Sequence, residues 1–199
     1  MIPGIDVSHY QGVIRWDRVK DAGIQFAYIK ATDGASFTDS CLKWNWAQSK
    51  AAGVPRGAYH FYRPGVNVAS QGTRFMDSIL PDGDLPPALD LEVGPMDEAE
   101  LADVLTLLTW LEDHFERIPV LYLDLATASK ITDDRFAHFP LWLADYSGVS
   151  TVPGSPILTE WTFWQHTPAG KVDGVPSQVD LDWFSGTADE LANVGKLAT

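Results

Sequence analysis

Eight short apolar runs, each closing on polar or charged side chains, limit the folds open to this chain more than any other feature of its 199 residues. They cover 4–9, 25–31, 56–61, 86–91, 118–122, 140–144, 160–165 and 178–180. Most are continuously apolar, the pattern of parallel strands buried on both faces. Helix-like segments separate the early runs, at 16–22, 41–52, 69–80 and 98–115, with a shorter one around 125–131. The segment at 98–115 opens on Asp97 followed by Glu100, a spacing that resembles a capping box. Its Leu101, Val104, Leu105, Leu108 and Leu111 recur at helical spacing and should face the sheet. Past Tyr146, the stretches 147–158 and 166–177 are rich in Gly, Pro, Ser and Thr and read as loops. The order is five β/α units and then three strands with few helices. That is an α/β fold, an irregular TIM-like barrel with an incomplete helical jacket. An open doubly wound sheet is the alternative, but no Gly-rich phosphate loop follows the first run, where the carboxylate of Asp6 stands instead.

In a parallel barrel the C-terminal strand ends build the site, and the polar residues of this chain cluster there. Asp90 and Glu92 lie two apart at the end of the fourth run, so they share a face while Leu89 and Leu91 take the other. Two neighbouring carboxylates cannot both ionise freely, and a protonated acid beside a charged one is what glycoside hydrolysis uses. A lone D-x-E also serves as an ordinary strand-end cap. Asp6 is a third carboxylate that could raise its neighbours' proton affinity or orient a substrate. Lys30 ends the second run; a buried ammonium there would need a partner, which the acidic cluster offers, and a surface lysine is the alternative. Tyr59 and Tyr62 could line a sugar trough, though Tyr59 and Phe61 share a face and could both be core. Tyr122 ends the fifth run. Trp164 and Gln165 end the seventh, offering a stacking face and an amide for hydroxyl or acetamido groups. Asp180 and Asp182 form a second same-face pair.

Composition narrows the class. The chain has 14 basic and 27 acidic residues, a net charge of −13, which argues against nucleic acid and disfavours anionic lipid surfaces. No apolar run approaches the ~20 residues of a membrane helix. Cys41 is the only cysteine, so an intramolecular disulfide and a thiolate metal site are both ruled out. Asp6, His9, Asp90, Glu92 and Asp180 could form an oxygen-rich cation site, but no short-spaced His pair supports zinc. The expectation is an enzyme without metal or cofactor. There is no G-x-S-x-G elbow for a serine nucleophile.

The ordered motifs resemble glycoside hydrolase family 25, the muramidases called Chalaropsis-type lysozymes that are common in phage endolysins, bacteria and fungi. The resemblance begins with Gly4-Ile5-Asp6-Val7-Ser8-His9-Tyr10-Gln11-Gly12 and Phe26-Ala27-Tyr28-Ile29-Lys30-Ala31. It continues through Gly57-Ala58-Tyr59-His60-Phe61, Asp90-Leu91-Glu92, Pro140-Leu141-Trp142-Leu143-Ala144, Trp164-Gln165 and Val179-Asp180-Leu181-Asp182, nearly the whole chain. It implies an irregular barrel and cleavage of the β-1,4 bond between N-acetylmuramic acid and N-acetylglucosamine in peptidoglycan. By motif, Glu92 corresponds to the general acid, Asp90 to its carboxylate partner, and Asp6 and Asp180 complete the acidic site. Lys30, Tyr59, Tyr62, Tyr122, Trp142, Trp164, Gln165 and Asp182 are the expected substrate contacts. Asp33 stands where the family often has Glu. The D-x-E pair leaves retention, inversion and assistance by the substrate's acetamido oxygen open, with the last favoured. The expected protein is a single catalytic domain over 1–199, a monomer without a separate wall-binding domain, acting on glycan strands of the bacterial cell wall. The start at Met1 shows no basic-then-apolar leader. The protein is therefore expected in the cytosol until released, as a phage lysin would be, or exported by another route. A chitinase-like hydrolase and a non-catalytic glycan-binding module are the competing readings.

Overall fold

The computed structural model describes residues 1–79, 82–92, 97–148 and 155–197. Its strands are β1 (Ile2–Val7), β2 (Phe26–Asp33), β3 (Phe37–Thr38), β4 (Arg56–Phe61), β5 (Ala88–Leu91), β6 (Val120–Asp124), β7 (Leu141–Ala144), β8 (Phe163–Gly170) and β9 (Val179–Phe184). The sheet runs β1-β9-β8-β7-β6-β5-β4-β2 and closes through β1–β2 pairing, making an eight-stranded barrel. The two-residue β3 pairs with the end of β2, outside the barrel. Helices α1 (Trp16–Asp21), α2 (Leu42–Ala51), α3 (Val68–Ser78), α4 (Glu98–Phe115) and the short α5 (Leu125–Ala128) follow the early strands, and α6 (Ala188–Asn193) follows β9. Short 3₁₀ helices occupy His9–Gln11 and Asp134–His138.

Two departures from the sequence reading bear on the site. First, β9 runs antiparallel to both β1 and β8, so its beginning, not its end, lies at the mouth formed by the other strands. This pairs Asp180 with Asp6. Second, β8 extends through 166–170, which reads as loop. Beyond the end of β7 this stretch pairs only with β9, with register shifts after Gln165 and Thr167. One-sided, bulged pairing tolerates Pro168 and needs no apolar pattern. Of the predicted loop at 147–158, residues 149–154 lie outside the described residues, as does Leu80 of the predicted third helix. Asp97 caps α4 through the Glu100 N–H, 2.9 Å away, but Glu100 does not return the bond. Its carboxylate accepts instead from the Tyr62 hydroxyl and the Gly65 N–H, at 2.9 and 2.7 Å.

Strand alternation sorts the side chains into two cores. Outward residues such as Ile5, Val7, Ile29, Leu89, Leu91, Leu121 and Leu143 meet Val104, Leu108 and Leu111 of α4 and the other helices in one cluster. Inward residues Phe26, Tyr28, Tyr59, Tyr122, Trp142, Phe163 and Phe184 fill the barrel. Tyr28 stacks on Trp142 with ring centroids 4.7 Å apart. The large rings of β2 fit because its neighbours offer glycine directly opposite: Gly4 faces Phe26 and Gly57 faces Tyr28. A Cβ at residue 4 would stand 2.3 Å from Phe26 Cζ. Phe26 is fully buried and cannot swing away. Gly4→Ala should therefore destabilise the fold by about 1–3 kcal/mol through overpacking. Urea unfolding measures this, and an unchanged midpoint would show that the barrel interior yields.

Candidate active site

Several inward-facing series end at the mouth on a polar group. Along β2 the order is Phe26, Tyr28, Lys30. Along β5 it is Ala88 and Asp90, with Glu92 just past the strand. A cavity of about 360 Å³ opens there, lined by Asp6, Lys30, Asp33, Tyr59, Phe61, Arg63, Asp90, Glu92, Tyr122, Trp142, Tyr146, Gln165 and Asp180, with Ser8, Tyr10 and Gln11 at its edge.

Asp90 is 7% exposed, and among the described residues its Oδ1 has no hydrogen-bond partner. Desolvation and then the nearby Glu92 push its carboxyl well above the usual range, against the pull of Lys30. Glu92 stands at the open rim. Desolvation of its carboxyl and the charge of Asp124 raise it, while Lys30 and the Tyr122 hydroxyl oppose the rise. Asp180 is pushed up to about 6, chiefly by desolvation.

Asp6 is held by Gln165, whose Nε2 donates to Asp6 Oδ2 at 2.7 Å. The Gln165 oxygen accepts from the Tyr122 hydroxyl at 3.1 Å and from the Tyr146 hydroxyl. The amide is thus fixed in one orientation and links the Asp6 side of the mouth to the tyrosines beside Glu92. Below lies Asp182, 1% exposed, accepting from Trp142 Nε1 at 2.8 Å. Its other oxygen has no N–H or neutral O–H donor among the described residues, and its remaining polar neighbour is the Asp6 carboxyl. Two buried carboxyls in contact hold a proton between them. Burial, Asp182 and Asp180 all raise Asp6.

The structure gathers most of the expected residues: Asp6, Lys30, Tyr59, Asp90, Glu92, Tyr122, Trp142, Gln165 and Asp180 all line the cavity. Three expected contacts lie elsewhere. Tyr62 comes one residue after inward-facing Phe61, so it turns into the outer core, where its hydroxyl bonds Glu100. Trp164 lies between inward Phe163 and Gln165 and so faces out, donating to the Asp145 carbonyl at 2.8 Å and packing on Trp161. Asp182 is inward but sealed beneath the cavity floor. His9, weighed as a metal ligand, turns away from the carboxylates, with Nδ1 2.7 Å from Asp39 Oδ2. Among the described residues, no three His, Cys, Asp or Glu side chains are grouped as a metal site. The sequence reading missed Arg63 and Tyr146. Both continue the period of two past a strand end, as 59-61-63 and 142-144-146, and that extrapolation is the signal that would have found them.

The buried acids impose a pH dependence on the fold. Asp6 and Asp182 stay protonated at pH values where the unfolded chain has ionised them. Their contribution to stability is complete below about pH 4, the unfolded carboxylate range, and is lost as pH rises through the raised folded values. Asp182→Asn removes one titration and keeps a donor toward Asp6. Relative to wild type it should gain stability from pH 5 to pH 8 in urea unfolding; a difference constant over that range would refute the shared proton.

The family profile of Glycosyl hydrolases family 25 matches residues 5–175. Lysozyme M1 of Streptomyces globisporus is 37% identical over 211 residues, covering 96% of this chain and 70% of that protein. The N,O-diacetylmuramidase of a Chalaropsis species is 30% identical, with 100% and 99% covered. Among solved structures, the bacterial lysozyme from Streptomyces coelicolor superposes with a TM-score of 0.84 at 33% identity, covering 98% of this chain and 96% of that one. The barrel, the D-x-E pair at the end of β5 and a profile match across most of the sequence agree: the chain belongs to glycosyl hydrolases family 25.

Proposed function

We propose that this protein is a peptidoglycan muramidase that hydrolyses the β-1,4 bond between N-acetylmuramic acid and N-acetylglucosamine, with Glu92 as the general acid. The observation that carries the reading is the contrast within the D-x-E pair: Asp90 is buried in the floor, while Glu92 reaches the open rim of the same cavity. The names of the relatives, lysozyme and N,O-diacetylmuramidase, point to the same chemistry.

Glu92 protonates the leaving glycosidic oxygen and then serves as base for the incoming water, while the ring carbon passes through an oxocarbenium-like state. Its proton is supplied by coupling. Burial and the neighbouring Glu92 raise the proton affinity of Asp90, so before substrate binds the proton is drawn toward Asp90. The partnerless Asp90 Oδ1 is an acceptor for the N–H of a substrate acetamido group. That bond stabilises the ionised Asp90, shifts the proton to Glu92, and turns the acetamido oxygen toward the reacting carbon. The reading is therefore retention by substrate assistance. Asp6 and Asp180 complete the acidic mouth, and the ionised Asp90 and Asp180 stabilise positive charge on the ring. Lys30, Tyr59, Tyr122, Trp142 and Gln165 hold the sugars. We read residues 1–199 as one catalytic unit acting as a monomer at the bacterial wall. No helix among the described residues is long and apolar enough to cross a membrane.

Glu92→Gln should lower the rate by about 10³-fold or more while leaving the unfolding midpoint near that of wild type. Digested peptidoglycan, reduced with borohydride and hydrolysed, should yield muramitol with wild type and almost none with Glu92→Gln. Glucosaminitol instead would mean that the other glycosidic bond is cut. The net charge of −13 makes a second test. Many walls carry anionic polymers, so the first additions of salt to a dilute buffer should raise activity on intact walls by screening. A monotonic fall from the lowest salt would contradict this.

A further inference from the structure

The walls of the cavity differ in charge. The β2 and β4 side supplies Lys30, Asp33, Phe61 and Arg63, and the β7 to β9 side supplies Tyr146, Gln165 and Asp180. β4 and β8 are four strands apart in a ring of eight, so the two sets confront each other across the mouth. Both cations of the first wall sit over the Phe61 ring, Lys30 Nζ at 4.5 Å and Arg63 Cζ at 4.3 Å from its centroid. Asp33 ties them together: it accepts from Arg63 Nε and Nη2 at 2.7 and 2.9 Å and from Lys30 Nζ at 3.3 Å. Burial disfavours the ionised Asp33, but Arg63 and Lys30 outweigh it and hold the carboxyl below its usual range.

Two cations and one carboxylate leave this wall with a single positive charge, whereas every other charged residue lining the cavity is acidic. Donors also remain. Among the described residues, Arg63 Nη1 has no hydrogen-bond partner, and Lys30 Nζ uses only its bond to Asp33. The aromatic platform and the Asp33 tether hold these donors in place before any ligand arrives, which reduces the ordering cost of binding. The catalytic steps assigned to Glu92 and Asp90 do not use them. In a protein of charge −13, an anionic substituent is repelled from the mouth unless a local cation receives it.

The geometry points to a carboxylate-binding subsite at Lys30 and Arg63 that receives the carboxylate carried on the lactyl arm of the muramic sugar, or one on the peptide that extends that arm. This rests on the muramidase reading. N-acetylglucosamine has no such group, so the subsite distinguishes the two sugars and sets which bond lies beside Glu92.

The test compares two substrate pairs. One is glycan strands stripped of peptide, with the lactyl carboxylate free or converted to its methylamide. The other is peptide-bearing strands, untreated or methylamidated. New reducing ends give kcat/KM for wild type, Arg63→Gln and Arg63→Lys. Wild type should favour the carboxylate form of one pair by about tenfold or more, mainly through KM. A preference in the stripped pair identifies the lactyl carboxylate, and a preference only in the second pair identifies the peptide. Arg63→Gln should bring that ratio close to one, and Arg63→Lys should retain part of it. General damage to the site lowers both members of a pair and leaves their ratio unmoved. Ratios near one in wild type for both pairs, or a ratio that survives Arg63→Gln, would overturn the subsite. An absence of new reducing ends from every strand with wild type would instead overturn the muramidase reading beneath it.

Discussion

The period-two alternation of side chains in a closed barrel is the constraint on which everything else here depends. Every second residue of each strand must enter the same enclosed space, and its height is set by its position along the strand. At mid-height the space is filled by Phe26, Tyr28, Trp142, Phe163 and Phe184. Further toward the mouth β2 carries Lys30 and β5 carries Asp90, with Asp6 and Asp180 beside them. The aromatic layer is thus both the core of the fold and the floor of the site. It keeps water away from the carboxyls above it, and this desolvation is the first cause of the raised proton affinity of Asp6, Asp90 and Asp180. Stability and acid–base poise come from one piece of packing.

Burying several carboxyls in such a floor opposes folding unless protons or donors compensate. The structure supplies both. Trp142 and Gln165 donate to Asp182 and Asp6, and the contact between those two carboxyls accommodates a proton. The bond from Trp142 joins the aromatic layer to the acidic one. Gln165, gripped by Tyr122 and Tyr146, carries that order across the mouth to the side where Glu92 stands. Asp90, at the floor of the cavity, keeps a buried oxygen without a hydrogen-bond partner among the described residues, and the proposed mechanism gives that oxygen to the substrate.

Much of this was legible in the chain. The apolar runs located all eight barrel strands, and the α4 stripe of Val104, Leu105, Leu108 and Leu111 showed which face packs on the sheet. The D-x-E spacing placed Asp90 and Glu92 on one side. Less legible were strands that depend on a single neighbour. The end of β8 carries Pro168 and a broken register, and β3 has only two residues, so neither has an apolar pattern to announce it.

The sequence by itself determined which residues could share a face, because alternation is local and needs only the next residue but one. It therefore determined the strands, the polar character of their ends and the carboxylate pair. Tertiary structure decided what local spacing does not encode: the reversed direction of β9, which brings Asp180 to the mouth and buries Asp182 below it, and the outward turn of Tyr62 and Trp164. It also decided the pairing of Arg63 with Asp33 over Phe61. These depend on strand direction, closure and the neighbour across the barrel, which are set by pairings between segments far apart in the chain. Until the ring closes, no residue of the site has its environment, and the proton affinities that give the site its chemistry do not yet exist.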